Sequence, residues 1–232
     1  MRHDAPVDAL TQSDVRMVGP ITRALTTRQT RQNTESGLSF QNPTKHELAV
    51  HEAGHAYAFA ALCRLDAPFE LGLGRDETGN HGWCNRRTLL LRDMRLASVP
   101  PDCLEGFQSM AAAEIMIAIA GPIAEFRRRH RSRFGGIFVV LGNAELFLKP
   151  GVFDVDGDFE RIRSTLDYIQ APDPLASFRR LIAACDEIVA RNWQSIILLS
   201  RRLLEAGLLG EDELGDWFEA HPAKLHPGPL TI

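Results

Sequence analysis

Residues 49–56 read AVHEAGHA, with two histidines four positions apart and a glutamate directly after the first. On an α-helix, residues four apart lie on nearly the same face, so His51 and His55 can direct imidazole nitrogens at one metal ion. Glu52 is rotated by about 100° from His51 and borders that ion without binding it. The alternative is a partly buried helix whose two histidines only pack or cap side by side.

The HExxH order of residue types suits metal-assisted hydrolysis. Zinc held by three protein groups keeps a fourth position for water, whose pKa falls toward about 7. Glu52 can accept a proton from that water and later pass it to a leaving amine. The motif therefore predicts zinc as the cofactor and peptide-bond hydrolysis as the reaction.

The residues before the motif predict the start of its helix. Thr44 and Glu47 have the T-x-x-E spacing of a capping box, and Pro43 suits the position just before it. Both histidines are therefore expected well inside a helix.

A third zinc ligand has to come from elsewhere in the chain. The acidic candidates are Glu125 in GPIAEF and the aspartates of FDVDGDFERI, which are Asp154, Asp156 and Asp158. Asp158 also fits the role of a helix N-cap. A ligand at a helix start is mechanically reasonable, because the helix fixes its backbone. The residues alone leave all four candidates open.

Composition limits the class of protein. The chain has 232 residues, 44% of them hydrophobic, which favours one domain with extensions. A net charge of −4 and a pI of about 6.1 give no general attraction to nucleic acid, so no nucleic-acid partner is expected. The most apolar stretch, Met110–Ala124, contains Glu114 and is shorter than the roughly 20 residues of a membrane span. Four scattered cysteines and the absence of a signal peptide predict a cytoplasmic protein without a membrane span.

The rest of the chain divides into segments. Residues 1–42 are expected to form a flexible arm, and 69–87 a small hairpin. A long buried helix should follow Asp102 and kink near Gly121 because of Pro122. Further helices are expected at 158–170, 175–206 with Gly207 as cap, and 211–219, and residues 219–232 as a loose tail.

The segment 131–157 is rich in apolar residues, and the family resemblance described in the next paragraph implies that it is an insertion. Its two apolar runs around Gly142-Asn143 predict a hairpin. They exceed what an exposed linker needs, so we expect a flap or a partner contact.

The chain resembles the peptidase domain of the FtsH-type zinc metalloproteases over about residues 43–218. The matching pieces are HEAGHA, GRDETGNHGWC, IAGPIAEFRRR and GDFERIRSTL, and IVARNWQSIILLSRRLLEAGLLGEDEL is similar to the closing helices. Where the family has Gly-Gly followed by Arg, this chain has Gly121-Pro122-Ile123. The resemblance implies a zincin-like helical domain that stands without the family's ATPase module.

The resemblance also implies roles for individual residues. His51 and His55 become zinc ligands, Glu52 the base, and Asp158 the third ligand, because Asp158 has the matching position before a helix. Substrate is implied to add as a strand near residues 81–87, which makes His81, Gly82 and Trp83 candidate substrate-binding residues.

Together these observations predict a mainly α fold with a small β element and a zinc metallopeptidase function. Peptides or unfolded protein segments are the expected substrates, hydrolysed without ATP, and a separate unfoldase or other protein partner would deliver folded ones. The competing prediction is a catalytically silent zincin-like module that binds a protein partner. Cleavage specificity and oligomeric state do not follow from the sequence.

Overall fold

The computed structural model describes residues 23–26, 43–63, 68–77, 79–86, 99–130, 140–149 and 157–224. The elements run β1 (Arg23–Thr26), α1 (Lys45–Cys63), β2 (Glu70–Asp76), β3 (Gly79–Arg86), α2 (Leu104–His130), α3 (Ala144–Phe147), α4 (Asp158–Tyr168), α5 (Pro174–Ala206), β4 (Leu208–Leu209) and α6 (Glu211–Ala220). Most of the described residues are helical, which confirms the predicted mainly α fold with a small β element.

Helix α1 begins with the predicted capping box. The backbone N–H of Thr44 donates to Glu47 Oε2 (2.8 Å), and the N–H of Glu47 donates to Thr44 Oγ1 (3.2 Å). From Leu48 to Ala61 the helix is buried on every side, because its many alanines let α2, α5 and the sheet approach closely. The two histidines of HEAGHA therefore lie at the centre of the domain.

Helix α2 is the main partner of α1 and runs through Pro122 as one helix. Among the described residues it is also the one segment, counted from Pro101 to His130, that is long and apolar enough to cross a membrane. Of its most apolar 18-residue window, 83% is buried inside the protein. A core helix has the same properties, so this helix is only weak support for a membrane span.

The strands form an antiparallel sheet in the order β1-β3-β2-β4. The hairpin β2–β3 confirms the prediction for residues 69–87. Strand β1 pairs with β3 from Arg23↔Arg86 to Thr26↔Trp83. These four residues differ from the expected flexible arm, because their backbone is paired with β3 in the sheet. The other residues of 1–42 lie outside the described residues.

Residues 140–142 and 144–147 are helical and no strands form among the described residues 140–149, so the predicted hairpin around Gly142-Asn143 is wrong. Val140, Ala144 and Phe147 are buried at helical spacing, and the Phe147 ring stacks on Phe159 with centroids 4.2 Å apart. Apolar residues at i, i+4 and i+7 form one helical face, and here this pattern outweighs the turn signal of Gly-Asn. The described part of the insertion therefore packs into the core instead of forming a flap.

The closing helices follow the prediction within a few residues. Helix α5 is unbroken, with Asp173 accepting a hydrogen bond from the N–H of Ala176 and Gly207 ending it at a positive φ of 77°. Beyond α6 the chain is held to the core, since the N–H of Lys224 donates to Asn192 Oδ1 (2.8 Å). The tail predicted to be loose from residue 219 is thus anchored as far as Lys224.

The packing of Phe147 predicts a large effect on stability. Phe147→Ala should lower the free energy of unfolding by about 3–5 kcal/mol, because it removes a buried ring and leaves a cavity. Urea denaturation followed by circular dichroism measures this change. Glu145→Ala, an exposed position on the same helix, is the control and should change stability little. Equal midpoints for the two variants would show that the insertion does not belong to the core.

Candidate metal centre

Helices α1 and α4 bring His51, His55 and Asp158 together, with one ligand atom from each residue lying within 4.8 Å of the others. His51 Nε2 lies 3.0 Å and His55 Nε2 3.3 Å from Asp158 Oδ2. The three residues are only 2%, 0% and 5% exposed. The structure thus joins the two histidines of α1 with the aspartate that opens α4, and this group could hold a metal ion.

The backbone of α2 closes one side of this group at Gly121. A Cβ added there would lie 2.4 Å from His55 Nε2 and 2.6 Å from His51 Nε2. Real side chains do not approach that closely, so glycine is required for α2 to pack against the two rings.

The outer nitrogen of each imidazole is occupied by a hydrogen bond. His55 Nδ1 donates to the carbonyl oxygen of Ile117 (2.7 Å), and His51 Nδ1 donates to Glu125 Oε2 (2.9 Å). Such partners set the tautomer and ring orientation of metal-binding histidines. Here they leave both Nε2 atoms for the space beside Asp158.

The position of His55 Nε2 tests whether a cation suits this group. This atom is buried and makes no hydrogen bond. With Nδ1 donating to Ile117, Nε2 is the ring atom left for a metal, and it faces Asp158 Oδ2 at 3.3 Å. A cation between these two buried atoms would give both a partner. Two imidazoles and a carboxylate are also a common ligand set for zinc, so the residues fit the predicted metal.

Glu125, the other candidate ligand, occupies an outer position. One of its oxygens binds His51 Nδ1, and the other accepts a hydrogen bond from Arg129 Nη2 (2.7 Å). Arg129 Nε in turn donates to Glu47 Oε1 (3.0 Å), which links the centre to the cap of α1. Glu125 therefore orients a ligand, while Asp154 and Asp156 lie outside the described residues.

The three central residues perturb one another's protonation. Burial alone would lower the pKa of His51, but hydrogen bonds to Asp158 and Glu125 outweigh it and hold this pKa well above the usual imidazole value. Burial alone would raise the pKa of Asp158, but the adjacent imidazoles of His55 and His51 outweigh it and lower this pKa.

The side chain of Glu52 extends from α1 toward β3. It is fully buried, and a Cβ added to Gly82 would lie 2.5 Å from its Oε1. Glycine at position 82 therefore leaves room for the carboxylate beside the strand. The neighbouring thiol of Cys84 has a raised pKa because of burial and the charge of Glu52, which disfavours its thiolate form.

Of the three predicted substrate-binding residues, only Gly82 lies beside Glu52. The side chains of His81 and Trp83 lie on the opposite face of β3, over Gly74 and Gly72 of β2, with their rings stacked. Successive side chains of a strand point to opposite faces, so the three residues cannot face the same site.

A buried ion cluster next to the centre was not predicted from the sequence. Arg86 of β3 binds both carboxylate oxygens of Glu114 on α2 (3.2 and 2.8 Å), and Arg161 of α4 binds one of them (2.9 Å). The cluster joins the elements that carry Gly82, Gly121 and Asp158. The sequence signal was Glu114, a lone charge inside an apolar helix, because a buried charge requires a partner.

No protein-family model matches the chain, and no curated protein matches it in sequence. The resemblance to FtsH-type peptidases thus depends on the motif residues themselves.

The geometry predicts that replacing Asp158, which contacts His51 Nε2, and replacing Glu125, which contacts His51 Nδ1, have different effects on zinc binding. Asp158→Ala removes a ligand and should release zinc from the purified protein. Glu125→Ala should retain zinc but weaken its affinity by about 10–100-fold, because it removes only the partner of His51 Nδ1. Metal analysis and chelator competition measure both effects, with Asp167→Ala, exposed on α4, as the control. Normal zinc retention by Asp158→Ala would contradict the assignment.

The raised pKa of His51 predicts how metal affinity depends on pH. A metal has to displace the proton that His51 shares with Asp158, and a raised pKa keeps that proton in place above the ordinary value of 6.5. Zinc affinity should therefore keep rising as pH increases above 6.5. Chelator competition at several pH values tests this. In Glu125→Gln the rise should end at lower pH, and an affinity that is flat above 6.5 in both proteins would contradict the prediction.

Proposed function

We propose that the chain is a zinc-dependent metallopeptidase that hydrolyses peptide bonds in peptides or unstructured protein segments. The main support is the convergence of His51 Nε2, His55 Nε2 and Asp158 Oδ2 in a buried space that Glu52 borders from the same helix. In this proposal His51, His55 and Asp158 hold the zinc ion, and Glu52 is the general base.

The ligand types and the position of Glu52 favour zinc. Two histidines and a carboxylate also occur at non-haem iron sites, but a glutamate directly after the first histidine of HExxH has its known use in zinc hydrolysis. A bound zinc ion supplies Lewis-acid chemistry that activates water at neutral pH. Buried Cys84 and Cys185 are free thiols, which is consistent with the proposed cytoplasmic location.

In this proposal Glu52 transfers the proton, and other residues hold the two imidazole rings in place. Glu52 accepts the proton of the attacking water and delivers it to the nitrogen of the leaving amine. His51 keeps its orientation through Glu125, and His55 through the Ile117 carbonyl, so neither ring has to rotate during the reaction.

Burial of the centre favours an extended substrate. His51 and His55 are almost completely enclosed, and in this proposal a peptide bond reaches them along β3, where Gly82 adjoins Glu52. A narrow extended segment can do this, whereas the surface of a folded protein cannot. The substrate class is therefore peptides and unfolded segments, and a folded protein would need a separate unfoldase.

Glu52→Gln tests the proposal, because it removes the proton acceptor while leaving the three ligands in place. Zinc content should stay the same, and hydrolysis of casein or a peptide library without ATP should fall by about 10²- to 10⁴-fold. Glu105→Gln, an exposed change on α2, is the control for a lost carboxylate.

Two results would count against the proposal. Iron instead of zinc in the purified protein would exclude the proposed cofactor. A zinc-loaded wild type that cleaves no member of a broad library would favour the silent module that binds a protein partner.

A further inference from the structure

The strand beside the proposed catalytic base is paired on both edges. On one side β3 pairs with β2, and on the other Trp83–Arg86 pairs with β1. Gly82, which adjoins Glu52, directly precedes this paired stretch. The edge of β3 opposite β2 is thus occupied by Arg23–Thr26 of the same chain, starting at the residue after Gly82.

Strand β1 is a short occupant of this edge. It has four residues and pairs with β3 alone, at the edge of the sheet. Another extended segment can supply the same backbone pairing to β3. Because β1 belongs to the same chain, such a segment has to compete with an intramolecular partner.

We propose that β1 is an internal competitor for the substrate edge of β3. An extended peptide that adds to Trp83–Arg86 has to displace Arg23–Thr26, because one strand edge accepts one partner. This inference rests on the proposed function, since it concerns access to the same centre. When β1 is bound in about nine molecules of ten, the apparent peptide affinity falls about tenfold.

The test measures peptide binding in a Glu52→Gln background, where hydrolysis does not interfere. The probe is a fluorescent peptide with residues 20–30 of this chain, and its anisotropy reports binding. Leu25→Pro should weaken the pairing of β1, since proline cannot donate a backbone hydrogen bond. The probe should then bind about tenfold more tightly than to the parent.

A second variant holds β1 in place. Leu25 and Cys84 are cross-strand partners, so Leu25→Cys should form a disulfide with Cys84 on oxidation, identified by peptide mass spectrometry. The oxidised protein should lose probe binding and regain it on reduction. Ala24→Cys, whose partner is Asn85, is the control and should form no such bond.

Each other outcome overturns the inference. If Ala24→Cys forms the crosslink to Cys84 and Leu25→Cys does not, the pairing is wrong. Equal probe binding by the parent, Leu25→Pro and oxidised Leu25→Cys proteins would exclude competition. Zinc content and circular dichroism show that each variant is folded. Because binding is measured without turnover, failure of the proposed peptidase activity is detected separately, in the wild type.

Discussion

The fold depends on the burial of two imidazoles against one carboxylate. His51 and His55 meet Asp158 in a space without bulk water, where an unpaired charge or lone pair has a high free energy. Each polar atom around them therefore needs a partner, and the Ile117 carbonyl and Glu125 supply two of these. A cation in this space would give His51 Nε2, His55 Nε2 and Asp158 Oδ2 a common partner.

Close packing around this contact requires small residues at defined positions. Gly121 brings the backbone of α2 against the two imidazoles, and Gly82 brings β3 against Glu52. The cluster of Arg86, Glu114 and Arg161 then ties the same elements together. Buried ion pairs lose much of their hydration energy, so they add little net stability. Their contribution here is to fix the relative position of the strand and the helices.

Local signals in the sequence predicted the elements that do not depend on distant partners. The cap of Thr44 and Glu47, the β2–β3 hairpin and the Gly207 helix end each arise from contacts within a few residues. The failures occurred where distant contacts decide. Residues 140–142 and 144–147 are helical, with Phe147 packed on Phe159 in the core, and the pairing of β1 depends on β3.

In the candidate site, too, local sequence predicts some features and distant contacts decide the others. The sequence determined the relation of His51, Glu52 and His55, because four residues on a helix place two side chains on one face and turn the third aside. Only the tertiary structure shows that Asp158 and Glu125, which are 107 and 74 residues from His51, both contact its imidazole. Each carboxylate contacts a different nitrogen of the same ring, and no rule of spacing predicts which nitrogen a distant residue reaches. That choice follows from how α2 and α4 pack against α1.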